Sequence, residues 1–297
     1  MTNSYHPPLP TAMEIAQRLG LHRAGRGWRG GCPCCGYPDA FALDVREGRI
    51  VGWCASCQDR AALAAALRAA AGGALPSSDR PARIPRLDRA DAAARVARAA
   101  AIWDGASPIE PGSPAALYLE RRRIAHVASS PALRWRGDTP HPSGGRHLAL
   151  IAAITGADGD FSGVQRIYLD RDGRKAACEP TKASLGQVAG GACRLQECSE
   201  EMVVAEGVET AAAAAALLGK PAWSAVSCGN LGKSLALPPG IRTIVIAADH
   251  DPAGLRAAEA AWRRWRAEGR SVRIVKPNHE NCDFNDLQRD AARGIER

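Results

Sequence analysis

The last third of the chain alternates short apolar runs with longer, helix-like segments. The apolar runs predict buried strands near 202–206, 222–227, 242–248 and 271–276. The segments that follow predict helices near 208–218, 252–268 and, from a weaker pattern, 230–236. Strands that alternate with helices are typical of a doubly wound α/β domain. We therefore predict a Rossmann-like unit with a mostly parallel sheet over residues 201–290.

The middle of the chain has a different pattern, in which helices precede strands. Ala- and Arg-rich segments predict helices over 88–103 and 113–123. Apolar runs over 148–155 and 163–170, separated by a Gly- and Asp-rich turn, predict an antiparallel strand pair. Residues 88–200 are therefore expected to form an α+β subdomain.

The first 72 residues combine short helices with a glycine-rich stretch. Thr11 and Glu14 have the spacing of a capping box at a helix start, and a second helix is expected over 58–71. Pro, Gly and Ser cluster without periodicity over residues 73–87, which is typical of a linker. The pattern as a whole predicts a multi-domain α/β protein with domains at 1–72, 88–200 and 201–290.

Two cysteine pairs in the first domain predict a zinc ribbon. Cys32 and Cys35 form one C-x₂-C pair, Cys54 and Cys57 form another, and 18 residues separate the pairs. Four thiolates at this spacing make a closed, structural zinc site. Cys34 is an alternative ligand to Cys35, although the two-residue spacing favours Cys35. The other cysteines are expected to be buried thiols: Cys178, Cys193, Cys198, Cys228 and Cys282.

The charge distribution favours a partner with a phosphate backbone. The net charge is +8, yet residues 201–290 carry 11 basic and 11 acidic residues, so the excess lies mainly in the first two thirds. Arg residues near Trp28 and Trp53 suit single-stranded nucleic acid, although both tryptophans could instead pack the ribbon's core. Biased, Arg-rich composition is the alternative explanation for the charge. We expect a cytoplasmic protein, because we find neither a signal pattern nor a membrane-length apolar run.

Acidic residues follow two of the predicted parallel strands. Glu206 follows the first strand, and Asp249 and Asp251 follow the third. The carboxyl ends of parallel strands share one edge of a sheet, so we expect these side chains to meet. Converging carboxylates repel one another unless a cation lies between them, and their hard oxygen atoms suit Mg²⁺ or Mn²⁺. Asp251 also precedes Pro252 and could cap a helix.

Other residues near these acids leave alternatives open. Asp283 and Asp286 follow the last predicted strand and either join the site or lie in a solvated loop. His250 should point away from its two aspartate neighbours, because side chains alternate along an extended chain. The segment 229–234 is similar to a phosphate-binding loop, but Ser227 stands where that motif requires glycine. We therefore do not predict ATP hydrolysis.

Two sequence signatures resemble a known family. Residues 204–211 and 248–254 are similar to the two motifs of the Toprim domain, which DNA primases, topoisomerases and some nucleases share. A zinc ribbon ahead of such a domain resembles DNA primases of the phage and plasmid type. Residues 150–175 are similar to the primase region just before the Toprim domain, although the middle is shorter than in cellular replicative primases.

The primase resemblance implies an activity and a set of functional residues. The activity is Mg²⁺-dependent synthesis of short RNA primers on single-stranded DNA from nucleoside triphosphates, with a separate helicase as a partner. Glu206 would be the essential acid, with Asp249 and Asp251 as metal ligands. Nucleotide or template phosphates would contact the following residues: Arg166, Lys175 and Lys182. Two alternatives remain, a Toprim nuclease and a non-catalytic, zinc-dependent single-strand-binding protein.

Overall fold

The computed structural model describes residues 10–25, 27–34, 36, 40–46, 48–54, 60–73, 89–198 and 200–291. The chain divides into two compact units, Met1–Ile84 and Pro85–Arg297. Cys35, Cys57 and all but the first residue of the predicted linker lie outside the described residues. In the part of the chain that is described, no helix is both long enough and apolar enough to span a bilayer.

The first unit contains an antiparallel sheet flanked by helices. Its described elements are α1 (Ala12–Arg18), β1 (His22–Ala24), β2 (Gly27–Gly30), β3 (Phe41–Arg46), β4 (Arg49–Cys54) and α2 (Arg60–Ala70). The strands lie in the order β1-β2-β3-β4. The predicted capping box is confirmed, because the side chains of Thr11 and Glu14 each accept the other's backbone N–H. Ile15, Phe41 and Leu63 are fully buried in this small core.

The second unit begins with two helices and an antiparallel sheet. These elements are α3 (Arg89–Asp104), α4 (Pro114–Arg121), β5 (Leu133–Pro140), β6 (Arg146–Thr155), β7 (Phe161–Leu169) and β8 (Lys182–Gly186). The strand order is β5-β6-β7-β8. The predicted β6–β7 pair is confirmed. Strands β5 and β8 were not predicted, because β5 carries Arg at alternate positions and β8 is short and only half-buried.

The two faces of this sheet pack against different partners. Leu150 and Ile167 belong to a core that continues into the C-terminal part of the unit. Ile151 and Tyr168 belong to a second core, which includes Ile102 of α3. A side chain on β6 or β7 therefore faces either the C-terminal domain or α3, according to its place in the alternation.

The unit ends with a mostly parallel sheet covered by helices, which confirms the predicted fold class. Its elements are β9 (Cys193–Arg194), β10 (Glu201–Ala205), α5 (Val208–Leu218), β11 (Ala222–Ser224), a π-helical turn (Asn230–Ser234), β12 (Thr243–Ala247), α6 (Pro252–Ala267), β13 (Ser271–Val275) and α7 (Phe284–Ala291). The strand order is β13-β12-β10-β11-β9, with β9 antiparallel to β11. Strands β10 and β12 are parallel neighbours, so their carboxyl ends are adjacent.

Candidate active site at the edge of the parallel sheet

The register of β10 and β12 brings two predicted acids together. Ala205 pairs with Ala247, Glu206 comes directly after Ala205, and Asp249 lies two residues after Ala247. The two carboxyl groups are close enough to interact electrostatically. This edge is where open α/β sheets bind ligands, so the fold presents both acids at a favourable place for one.

Burial and neighbouring charges raise the pKa of two acids at this edge, Asp249 and Glu206. Burial raises the pKa of Asp249 to about 8, together with the charges of Glu206, Asp283 and Asp251, while a hydrogen bond from Thr210 opposes the shift. Burial also raises the pKa of Glu206. The Thr210 hydroxyl donates to Asp249 Oδ1 at 3.2 Å and so orients that carboxyl group.

Asp251 caps α6, as the sequence suggested. Its Oδ1 accepts the N–H groups of Ala253 at 2.8 Å and Gly254 at 2.7 Å. Its charge still raises the pKa of Glu206, so Asp251 caps the helix and also belongs to the acidic cluster. A Cβ atom at position 254 would lie 2.6 Å from the Asp249 carbonyl oxygen, which explains why glycine occurs there.

Glu209 is a functional candidate that the sequence pattern did not single out. It lies in the first turn of α5 and is buried, and its Oε1 accepts a hydrogen bond from the Tyr118 hydroxyl at 2.6 Å. Burial by itself would raise the pKa of Glu209, but Lys182, Lys175 and Tyr118 together lower it to about 2. The sequence does contain one signal for a functional role of Glu209, which is its position three residues after Glu206 in the Glu-Gly-Val-Glu segment.

The predicted basic residues separate into two groups. Lys182 Nζ lies 3.9 Å from Glu209 Oε1, and Lys175 also acts electrostatically on Glu209. Arg166 is on the opposite face of the sheet, because Ile167 pairs with Lys182 and side chains alternate. It is 5% exposed and donates to the carbonyl oxygens of Pro140, Ala183 and Ser184. Its contact with a phosphate stays a prediction.

A basic pocket of about 610 Å³ adjoins the Glu209 network. Its lining consists of Tyr118, Glu120, Arg121, Arg122, Arg123, Gly173, Arg174, Lys175 and Arg289. Arg122 donates to Asn285 Oδ1 at 3.1 Å, and its guanidinium group lies 5.5 Å from the centre of the Tyr118 ring. The run of arginines at the end of α4 was visible in the sequence, but its place beside the acids depends on the fold. Clustered guanidinium groups suit a phosphate ligand.

The structure distinguishes between the two acids that the sequence left open. Asp283 Oδ1 accepts the N–H of Asp286 at 2.8 Å, and Asp286 Oδ2 accepts the N–H of Asp283 at 3.3 Å, so the pair caps α7. Burial raises the pKa of Asp283, whose charge in turn raises the pKa of Asp249. Asp286 lies 3.7 Å from Arg289. Asp283 is therefore the better candidate for an additional ligand.

His250 Nε2 lies 2.8 Å from Lys276 Nζ.

The donor atoms at this edge suit a hard divalent cation. Among the described residues, no three His, Cys, Asp or Glu side chains already stand in metal-ligand geometry. The charges of Glu206, Asp283 and Asp251 nevertheless raise the pKa of Asp249, and a cation bound among these carboxyl groups would remove this repulsion. Cation binding would then require proton release and side-chain rotation.

The described cysteines of the first unit gather at one end of its sheet. Strands β2 and β4 both flank β3 and run in the same direction, and Cys32 follows β2 while Cys54 ends β4. Both side chains are buried. The N–H of Gly36, whose φ is +72°, donates to the Cys32 carbonyl, which tightens the turn of the first pair. Because Cys35 and Cys57 lie outside the described residues, the zinc site stays a prediction.

Comparison with known proteins assigns the domain that carries the acids. Residues 201–294 match the family model described as a Toprim domain. The C-terminal part of this chain is a Toprim domain. Residues 93–195, just before the Toprim domain, match a domain of unknown function, DUF7146. The resemblance of the two acidic motifs to Toprim signatures is thereby confirmed.

Solved primase structures are also similar to the chain. A DnaG primase catalytic domain bound to single-stranded DNA is 16% identical, with a TM-score of 0.46 over 68% of this chain and 78% of that one. The zinc-binding and RNA polymerase domains of the Aquifex aeolicus primase are 13% identical, with a TM-score of 0.38 over 95% and 82%. The primase fragment of the bacteriophage T7 primase-helicase protein is 14% identical, with a TM-score of 0.40 over 90% and 94%. The domain assignment depends on the family match alone.

Removing the Tyr118 hydroxyl should destabilise the unit that contains the Toprim domain. We expect Tyr118→Phe to lower the free energy of unfolding by about 1.5–3 kcal/mol, because a buried, charged Glu209 loses its donor. Tyr168→Phe is the matched control, since that buried hydroxyl donates to the neutral Pro140 carbonyl and should cost about 0.5–1.5 kcal/mol. Urea denaturation measures both values, and equal losses would argue against a charged Glu209.

The raised pKa of Asp249 predicts how the stability of the metal-free protein depends on pH. Between its ordinary value of 3.8 and its folded-state value of about 8, the folded state keeps the Asp249 proton and the unfolded state has released it. The contribution of this group therefore falls as the pH rises through that interval. Urea denaturation across the interval should show a steeper decline for the wild type than for Asp249→Asn. Parallel curves would refute the shift.

Proposed function

We propose that this protein is a DNA primase-like nucleotidyltransferase that makes short RNA primers on single-stranded DNA. The observation that supports this most is the position of the acidic edge of the Toprim domain beside a basic pocket. Glu209 links the two, because it accepts a hydrogen bond from Tyr118 of the pocket and its charge raises the pKa of Asp283 at the acidic edge. A cation site next to a phosphate site is what transfer of a nucleotidyl group requires.

The acidic cluster would hold Mg²⁺ or Mn²⁺ through Glu206, Asp249 and Asp251, with Asp283 within reach. When bound, the cation would lower the pKa of the attacking 3′-hydroxyl group and neutralise charge on the triphosphate. The protein prepares this site by fixing its acids. Thr210 orients Asp249, and the capping contacts of Asp251 tie that residue to the start of α6.

The basic side chains would bind and orient the triphosphate. The positive charges of Lys182 and Lys175 both lower the pKa of Glu209, so both lysines lie close to the acids. Arg122 is fixed in two ways, because it donates to Asn285 and its own carbonyl accepts from the Asn285 amide at 2.6 Å. Groups fixed before the substrate arrives lower the cost of positioning it, and catalysis would depend largely on positioning and charge.

The first unit would bind the template strand. The guanidinium group of Arg23 lies 4.6 Å from the centre of the Trp28 ring. Trp53 is 49% exposed, which favours base stacking over packing of the ribbon's core. We propose that Cys32, Cys35, Cys54 and Cys57 hold a structural zinc ion that stabilises this surface.

Template-directed synthesis tests the proposed function. The full chain, single-stranded DNA templates, Mg²⁺ and labelled ribonucleotides should yield short oligonucleotides. A parallel reaction with supercoiled plasmid distinguishes a nuclease, which would nick the plasmid and make no oligonucleotides. If several templates give no product, even with a replicative helicase supplied, the proposal fails.

A further inference from the structure

The loop that follows β11 has a strained backbone directly beside Glu206. Val226 in this loop has φ of +72°, a left-handed conformation that β-branched residues rarely adopt. The N–H of Ala225, the preceding residue, donates to the carbonyl oxygen of Ala205 at 2.8 Å. Strain of this kind persists only where surrounding contacts fix it, and it occurs most often at functional sites.

Buried amide side chains hold this loop in place. Gln165 Nε2 donates to the Val226 carbonyl at 3.1 Å. Asn230 Nδ2 donates to the carbonyl oxygens of Ala225 at 2.8 Å and Gly191 at 2.7 Å. Gln165 and Asn230 are 5% and 3% exposed. The strained peptide is thus fixed by both the antiparallel sheet and the chain segment before β9.

Ser224 at the end of β11 and Cys228 in the loop each donate a hydrogen bond to Glu206. Ser224 Oγ donates to the Glu206 carbonyl oxygen at 2.8 Å and accepts the N–H of Val226 at 3.1 Å. The Cys228 thiol donates to Glu206 Oε2, and Cys228 itself is buried. The backbone and the side chain of Glu206 are thus both held by hydrogen bonds from the segment that follows β11.

We propose that Cys228 is a positioning residue that fixes the Glu206 carboxylate for cation binding. The inference rests on the proposed metal site of the Toprim domain. The hydrogen bond from the thiol to Oε2 restricts rotation of the Glu206 carboxyl group. Glu206 would then lose less rotational freedom when a cation binds, and the affinity of the cluster would be higher than the carboxylates alone provide.

Binding of Mn²⁺ to the full chain, without nucleotide, tests this role through a readout other than activity. Electron paramagnetic resonance reports free Mn²⁺ during a titration. Cys228→Ala and Cys228→Val both remove the donor but change the volume differently, and each should weaken binding by roughly three- to tenfold, as expected for loss of a weak donor to a charged group. Cys228→Ser keeps a donor and should stay within about twofold of the wild type.

Two controls separate this inference from the proposed function. Cys178→Ser removes a thiol on the other face of the antiparallel sheet and should leave Mn²⁺ binding unchanged. Glu206→Gln should weaken binding more than any Cys228 variant. The positioning role is refuted, and the metal site stands, if Glu206→Gln weakens Mn²⁺ binding while Cys228→Ala and Cys228→Val do not. The same conclusion holds if Cys228→Ser weakens Mn²⁺ binding as much as Cys228→Ala and Cys228→Val do. If the wild type binds no Mn²⁺ that depends on Glu206, both proposals fail.

Discussion

Asp249→Asn should reduce primer synthesis by roughly two to three orders of magnitude, the loss expected when a preorganised electrostatic group is removed from an active site. The substitution removes a charge but keeps the side-chain volume and the oxygen that accepts from Thr210. Burial and neighbouring carboxylates already raise the pKa of Asp249 to about 8. A neutral amide should therefore leave the metal-free fold as stable as before, or more stable at high pH. Primer yield and urea denaturation measure the two effects on the same preparation.

Asp160→Asn is the matched control for this experiment. Asp160 is exposed in the turn between β6 and β7, so its substitution should change neither primer yield nor stability. Full primer synthesis by Asp249→Asn would rule out the proposed catalytic role. A loss of synthesis that accompanies unfolding would show that Asp249 acts through the fold instead.

Loss of zinc should unfold the first unit. A structural zinc site contributes about 10–16 kcal/mol of binding free energy, more than a small sheet of this size can supply by itself. We expect one zinc ion per chain, and we expect Cys54→Ser to remove it and to abolish cooperative unfolding of Met1–Ile84. Single-strand binding should fall with it, while the unfolding transition of Pro85–Arg297 should persist.

Metal analysis by atomic emission and thermal unfolding monitored by circular dichroism measure this outcome. Cys178→Ser is the control, because Cys178 lies in the second unit and has no ligand spacing. A wild-type chain that purifies without zinc and still shows an intact first unit would contradict the zinc prediction.

The parallel sheet and its acids were predictable because their signals are local. An apolar run such as the one before Glu206 identifies a buried strand, and the acid after it marks the strand's end. The rule that parallel strands present their carboxyl ends at one edge then brings Glu206 and Asp249 together without any knowledge of side-chain contacts. Asp251 as a helix cap follows equally from its position before Pro252.

The remaining parts of the site depend on contacts between distant segments. Arg166 and Lys182 lie on opposite faces of the sheet because of the β7–β8 register, and a one-residue shift in that register would place them on the same face. Tyr118 meets Glu209 across 91 positions, and Cys228 meets Glu206 across 22. No short motif encodes such pairs. Cys193, Cys228 and Cys282 are buried, as predicted, whereas Cys178 and Cys198 are partly exposed.

Anomalous diffraction from crystals of the full chain containing Mn²⁺ would test the central claim most directly. The account predicts a manganese peak that shares carboxylate oxygens from Glu206, Asp249 and Asp251, at about the 2.1 Å distance typical of a small, hard divalent cation. Manganese bound elsewhere, with these three carboxyl groups turned away from one another, would contradict it.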